Sequence, residues 1–452
     1  MNLKLSDLKY LFIFVFCFCA MSFFFSLIDG DVLWNYGFSY AISRGEIPYL
    51  DFNMIITPFY PMLMAIPLKL FSTNIIVYYL INSLLITVMF YLLFKMYDYK
   101  AWMLLVFLIF PFPSVVFPTY NFFLVFLLVL ILYLEKNNKS DYLIGILIAF
   151  SFLTKQTVGF CLLLPSIYYL FKKKKKSKFY RRLISFVSVN IIFLIYLLIT
   201  KSLKEFLDLC LFGLFDFTKS NGKTFNIFFY LSIILIIIVI RRIVKDKKNL
   251  TNYYILAFSS ILLPLFDINH FCYFLFAFML LFIDKVKFSK KQLIGNSLLF
   301  LTVYSGLFFI LIFNNKKITY PNHYHNFEFR LLYNGHGEFI IRDKLNNYLK
   351  KNKNNNIVML SSEAYFYKIA NDMDITYFDL LNYGNHGYHG TDKMINRIKK
   401  LDKNTIFIIS MDEYKKKDKF NRQQINKEIM GYVINNGELI KNINCFGIYK
   451  LK

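Results

Sequence analysis

Apolar stretches near the ~20 residues that cross a bilayer as a helix recur along positions 1–313, and polar segments divide them. Basic residues collect in those dividers: Lys4 and Lys9, Lys95 to Lys100, Lys136 and Lys139, Lys172 to Arg182, Arg241 to Lys248, and Lys285 to Lys291. Cytoplasmic loops carry such excesses of Lys and Arg, so all of these clusters are assigned to the inner side. Two ambiguous stretches then resolve. Met54 to Phe71 is apolar enough to cross, but crossing would carry Lys95 and Lys100 outside, and Pro58, Pro61 and Pro67 are expected to break a regular helix. It reads as an interfacial or re-entrant segment on the outer side. Tyr142 to Phe171, interrupted by Thr154-Lys155-Gln156-Thr157, reads as two short helices with Lys155 at an outer turn, which keeps the ammonium away from the bilayer centre.

The pattern predicts about eleven transmembrane helices, over 8–28, 75–94, 101–117, 121–135, 142–153, 158–171, 183–200, 226–240, 253–266, 271–283 and 293–313, with the N-terminus inside. The first stretch follows Lys4 and Lys9, lacks a small-residue cleavage site, and is expected to be a retained span.

After Asn314 the pattern becomes polar and mixed. It predicts a helix over Arg342 to Lys351, a strand over Ile357 to Leu360, a helix over Glu363 to Ala370, a strand over Thr376 to Leu381, a helix over Thr391 to Lys400 and a strand over Thr405 to Ser410. Such alternation implies a small α/β domain with a partly parallel sheet. The expected fold class is therefore an α-helical polytopic membrane protein, residues 1–313, with an extracytoplasmic α/β domain over 314–452.

Composition sharpens this. Hydrophobic residues make up 57% and charged ones 18%, more apolar surface than one soluble core would hide. That excludes a cytosolic enzyme, a secreted disulfide scaffold and an ordinary nucleic-acid-binding domain. The net charge of +25 invites a nucleic-acid partner, but much of it sits in the clusters between apolar runs, so none is expected. Cys17, Cys19, Cys161, Cys210 and Cys272 lie in or beside apolar runs, leaving Cys445 outside and no disulfide framework.

Candidate chemistry concentrates in the first outer loop. It reads Asp29-Gly30-Asp31-Val32-Leu33-Trp34-Asn35-Tyr36, then Ser43-Arg44-Gly45-Glu46-Ile47-Pro48-Tyr49-Leu50-Asp51-Phe52. An Asp at a helix start is a common cap, and either acid alone has that structural reading. An acid just after the first span, a helix ending in Gly-x-x-Pro-Tyr-x-Asp-Phe and a Pro-rich apolar segment together resemble the GT-C membrane glycosyltransferases. Within that superfamily the chain is similar to the protein O-mannosyltransferase and lipid A aminoarabinose transferase branch, best over Asp29 to Phe71.

The resemblance implies a GT-C-like membrane fold, a catalytic acid in the first loop and a sugar donor carried on a polyprenyl phosphate. Asp31 matches the catalytic position best, since it precedes the amphipathic Leu33 to Arg44 helix; Asp29 is the second choice. Where the aminoarabinose transferases have Lys-Pro-Pro, this chain has Thr57-Pro58-Phe59-Tyr60-Pro61, which lacks that phosphate-binding lysine.

Elementary chemistry agrees with a lipid-linked donor. Nucleotide sugars are cytosolic, whereas the candidate acids are expected to face outward. A polyprenyl phosphate leaves as a stable anion, so a transferase needs one carboxylate as base on the acceptor hydroxyl, and cations for the departing phosphate. Lys155, beside Gln156, and His270, in Phe266-Asp267-Ile268-Asn269-His270, are the candidate phosphate contacts. Their structural alternatives are a snorkelling lysine and a satisfied interfacial histidine. Arg44 is a further phosphate candidate, with helix C-terminal charge pairing as its alternative. Tyr49, Asp29 and Asp51 would shape the site, the acids around a divalent cation (Mg or Mn) if the reaction uses one.

Other signals carry less. Gly222-Lys223-Thr224 lacks the earlier P-loop glycine, position 217 being Phe. His323, His325, His336, His386 and His389 have no cysteine partners and long intervals, a poor metal set. Asn382 to Gly390, Gly-rich with aromatics, reads as a turn or as a contact to sugar or acceptor. The favoured function is transfer of one sugar from undecaprenyl phosphate to an envelope glycan, lipid or protein acceptor on the outer face of a bacterial cytoplasmic membrane. The rivals are a lipid-linked oligosaccharide polymerase or ligase, and a transporter, which should place ionisable groups deep within paired repeats.

Overall fold

The computed structural model describes residues 30–104, 118–171, 175–221, 225–285, 343–353, 355–379, 381–388, 390–415 and 425–452, with isolated positions elsewhere. The expected spans 8–28 and 293–313, most of 101–117, Asp29, His323, His325, His336, His389 and Gly222-Lys223-Thr224 lie outside the described residues. The chain divides into two compact units, one of Met1–Val32, Asn74–Ile192 and Thr224–Leu331, the other of Leu33–Thr73, Phe193–Lys223 and Leu332–Lys452.

The first unit is helical. Its helices include Ile75–Tyr97, Tyr120–Lys136, Asp141–Phe152, Gln156–Leu163, Leu250–Phe258 and Ile268–Met279. Among the described residues, three helical stretches, Ile75–Leu104, Lys176–Ile199 and Ile227–Lys245, are long and apolar enough to cross a membrane. The last two leave Ile184, Val187, Ile191, Ile227, Ile234 and Ile237 exposed. Isoleucine and valine on the outside of a helix are costly in water and at home in lipid. Tyr142 to Phe171 is broken where expected: one helix ends at Phe152, the next begins at Gln156 and tightens into a 3₁₀ turn over Leu164–Phe171. Gly159 lets the two helices close on each other, since a Cβ there would stand 2.0 Å from the Phe152 backbone nitrogen.

A buried ionic cluster ties several helices of this unit together. The Arg182 guanidinium donates to Asp141 Oδ1 at 2.7 and 3.0 Å and to the Tyr254 hydroxyl at 2.9 Å, and pairs with Glu135 at 2.7 Å. Tyr169 donates to Glu135 and lies under the guanidinium, 4.7 Å from ring centre to charge. Burial of Arg182 is tolerable because two carboxylates and a hydroxyl satisfy its fork.

The second unit carries a four-stranded mixed sheet of β1 (Ile357–Leu360), β2 (Ile406–Ser410), β3 (Gly437–Ile443) and β4 (Phe446–Leu451), in the order β1-β2-β4-β3. β1 and β2 run parallel with Ile357 opposite Ile406, while β4 is antiparallel to both β2 and β3. β1 and β2 are buried throughout, whereas β3 is an exposed edge whose Glu438 and Lys441 discourage further pairing. The helices Asp343–Lys351, Ala364–Ala370 and Gly390–Ile398 stand close to their expected places.

Two expectations are corrected. Among the described residues of Thr376 to Leu381 none is in a strand. The buried carboxylate of Asp379 accepts the backbone N–H groups of Thr376 at 2.7 Å and Met359 at 2.8 Å and pairs with Lys368 at 2.6 Å, so the segment turns around a side chain instead of joining a ladder. Nor do the prolines of Met54 to Phe71 prevent a regular helix, which spans Phe59–Leu70. Pro58 precedes it, and Pro61 sits in the first turn, where an N–H has no intrahelical partner to lose. Only Pro67 removes a helical bond.

Candidate functional site

The helix Gly30–Ser43 carries Asp31, half-buried, in its first turn. Carboxylates belong at this end, because the exposed N–H groups there are partially positive. Within the first unit Asp31 acts electrostatically on Tyr120 and on Lys155.

Lys155 occupies the N-cap position of Gln156–Leu163 in extended backbone, with Gln156 half-buried behind it. Its ammonium is buried and donates to the Ile261 carbonyl at 3.0 Å. Burial, opposed by the carboxylates of Asp267 and Asp31, pulls its pKa down to about 7.

Asp267 caps the helix Ile268–Met279, its Oδ1 accepting the His270 backbone N–H at 2.9 Å. The same oxygen stands 2.9 Å from His270 Nδ1. Burial works against the Asp267 carboxylate, but the His270 contacts and the Lys155 charge outweigh it and hold its pKa below the usual range. On the other edge of the buried imidazole, Nε2 lies 3.5 Å from the amide of Asn121, itself buried beside Tyr120. The first unit thus gathers Asp31, Lys155 and His270, three of the residues singled out in the sequence. It adds Asp267, Tyr120 and Asn121, which sequence reasoning did not single out. The Asp-x-x-His spacing at a helix start was the available signal for Asp267.

An apolar cavity of about 440 Å³ lies in the same unit. Cys161, Leu164, Ile236, Leu256, Leu262 and Phe266 are among its walls. Phe266 immediately precedes Asp267, and Leu262 follows the carbonyl that holds Lys155.

Arg44, Tyr49 and Asp51 belong to the second unit, where each has a structural engagement. Arg44 donates to Asp374 at 2.9 Å, pairs with Asp372, and lies over the Tyr40 ring. Tyr49 is buried with φ +73°, its hydroxyl donating to the Ile56 carbonyl at 2.9 Å and its ring edge-on to Phe206. Asp51 is exposed and accepts the Ile47 N–H at 2.6 Å, closing the turn that the Pro-Tyr-Leu-Asp-Phe stretch encodes. Glu46, overlooked in the sequence, is half-buried, and burial together with the Asp374 charge raises its carboxyl to about 7. His386 is buried in the Gly-rich loop, where Asn426 stands 3.1 Å from its Nε2. Among the described residues no group of three or more His, Cys, Asp and Glu side chains is placed to hold a metal ion.

No curated protein and no solved structure gives a significant match to this chain. Residues 56–231 match the family model described as glycosyltransferase family 87, a stretch that contains Lys155 and Gln156 and is consistent with a GT-C-type enzyme. With the apolar helices, that match points to a membrane glycosyltransferase.

Proposed function

We propose that this chain is a GT-C-type glycosyltransferase of a bacterial cytoplasmic membrane that takes a sugar from a polyprenyl phosphate, undecaprenyl phosphate in particular. It transfers that sugar to an envelope glycan, lipid or protein acceptor on the outer face. Residues 1–313 form the membrane-embedded catalytic part, and residues 314–452 form an outer domain that helps receive the acceptor. The observation that carries the reading is the glycosyltransferase family 87 match over residues 56–231, which takes in Lys155 and Gln156, in a chain with apolar membrane-length helices; the Asp31 carboxylate and the Lys155 ammonium interact electrostatically in the first unit.

In this reading Asp31 removes the proton of the acceptor hydroxyl as the hydroxyl attacks the anomeric carbon, with inversion. Lys155, Gln156 and His270 meet the phosphate. The departing phosphodiester oxygen needs no proton, only positive charge, which a buried ammonium supplies more strongly than an exposed one. The apolar cavity beginning at Phe266 and Leu262 suits the first isoprene units of the donor lipid. Asp29 and Asp51 remain candidates for shaping the site or holding a divalent cation. Arg44 and Tyr49 are candidates for binding, although their present partners give each a structural role as well.

The test is sugar release from radiolabelled polyprenyl-phosphate donors by purified wild type and Asp31→Asn, with an extracted envelope fraction as acceptor. Wild-type turnover, reduced at least about 10²-fold in the variant, is the expected result for loss of a general base. Equal turnover by both proteins would exclude Asp31 as the base.

A further inference from the structure

Asp267 is a more specific feature than a helix cap. One of its oxygens, Oδ1, serves two donors on the same residue, the backbone N–H of His270 and the imidazole Nδ1, both at 2.9 Å. Two bonds to one residue fix both the start of the helix and the rotation of the ring. Only Nε2 is then left, 3.5 Å from the Asn121 amide. His270 is buried, but the side chain of Asp267 is 32% exposed, so the pair reaches the surface through the acid.

This arrangement constrains what His270 can do. With Nδ1–H committed to Asp267, a neutral imidazole offers a lone pair at Nε2, and a phosphate oxygen also offers lone pairs. The two repel. A contact becomes favourable only when Nε2 carries a second proton, and a carboxylate at Nδ1 is the group that stabilises such an imidazolium. The charged and polar groups acting on the ring are mixed: Lys155 opposes a second cation, Asp267 supports it, and Asn121 lies beside Nε2, while Asp31 acts on Lys155 and Tyr120.

We infer that Asp267 is a positioning residue that makes His270 a proton-switched contact for the donor's phosphate: Nδ1–H stays on Asp267, and Nε2 takes a proton from solvent as the phosphate binds. The inference rests on the lipid-phosphate reading above and deepens it. Lys155 holds the anion on arrival, and the protonated His270 then adds a directed N–H to the departing oxygen.

The experiment uses the full-length protein in detergent with undecaprenyl phosphate as the probe. Histidine labelled with ¹⁵N reports the ring state directly, and His270→Gln identifies the signal. At pH 7.5 the free protein should show a neutral ring protonated at Nδ1, and the bound protein a ring protonated at both nitrogens. In Asp267→Asn the bound ring should stay neutral and affinity should fall about tenfold, the effect of one pKa unit. The double variant Asp267→Asn with His270→Gln should bind no more weakly than His270→Gln alone, because Asp267 acts through the histidine. Asn is as good a helix cap as Asp, so the fold is preserved; Asp267→Ser, also a cap, serves if Asn does not fold. A wild-type ring that stays neutral in the complex, or additive losses in the double variant, overturns the inference and leaves the lipid-phosphate reading intact. Failure of wild type to bind undecaprenyl phosphate at any pH overturns both.

Discussion

The ammonium of Lys155 is held 3.0 Å from the backbone carbonyl of Ile261, at the point where the break between two apolar helices meets a 3₁₀ turn over Ser259–Leu262. A carbonyl is a neutral partner, so the charge, felt already by Asp267 and Asp31, is not cancelled by a direct ion pair and can act on an approaching anion. Because the pKa is lowered to about 7, the charged form is complete below neutral pH and is lost as pH rises. The donor KM of the wild type should therefore climb by up to about tenfold per pH unit above 7. Lys155→Arg keeps its charge over this range and should show a shallower profile, with only the proton taken up at His270 left to titrate. Steady-state kinetics between pH 6 and 8.5 checks this, and parallel profiles for the two proteins would remove Lys155 from the phosphate contact.

The Arg182 cluster predicts a stability effect distinct from activity. Arg182→Gln leaves Asp141 and Glu135 buried without their cation, which typically costs about 3–5 kcal/mol. Adding Asp141→Asn and Glu135→Gln should recover a large part of that loss, since the uncompensated charges are removed too. Thermal unfolding in detergent micelles reads both steps. A loss below about 1 kcal/mol in the single variant, the level of an exposed pair, would contradict the burial argument.

Glu46 gives a pH dependence of the opposite sense to most carboxylates. Its folded pKa, about 7, lies above the ordinary value of 4.5. The native state thus binds the proton more tightly than the unfolded chain. Stability tied to this group is fully present at pH 4.5 and below, and is lost as pH rises from there through 7. Glu46→Gln should raise the Tm at pH 8.5 and leave it nearly unchanged at pH 4.5. Equal shifts at both pH values would assign the effect to something other than titration.

Gly45 closes the helix Gly30–Ser43 in a left-handed conformation, φ +98°. Its N–H bonds the Ile42 carbonyl at 3.0 Å and the Glu46 N–H reaches back to Ala41 at 3.1 Å, the paired bonds of a Schellman end. Nothing crowds a Cβ there, so Gly45→Ala isolates backbone strain. It should destabilise by about 1–2 kcal/mol, read from chemical unfolding. An unchanged midpoint would mean that the turn relaxes without cost.

Much of the architecture was legible because it follows from local rules. Apolar length marked the helices at Ile75, Tyr120, Lys176 and Ile227, and Lys155 marked the break between Asp141–Phe152 and Gln156–Leu163 because an ammonium disfavours the middle of an apolar helix. Short continuous apolar, β-branched runs located β1 and β2. The C-terminal hairpin of β3 and β4 was missed, since β3 is an exposed edge whose Leu439 and Ile440 are adjacent rather than alternating, and its turn depends on Asn444 at φ +54°. Thr376 to Leu381 was misread for the converse reason. Its residues suit a strand, but Asp379 from within the segment captures the backbone N–H groups that a neighbouring strand would need.

The sequence by itself determined the kind of protein, a chain of apolar helices with acids between its first apolar stretches, because hydrophobic length and charge clustering are properties of composition and order. It also singled out Asp31, Lys155 and His270. Only the tertiary structure decided that these three share one unit, with Asp267 and Asn121 on either edge of the His270 ring, while Arg44, Tyr49 and Asp51 belong to another with partners of their own. Those pairings join residues up to hundreds of positions apart. Which of many equivalent carboxylates meets a given cation depends on how helices pack, and no local pattern encodes that.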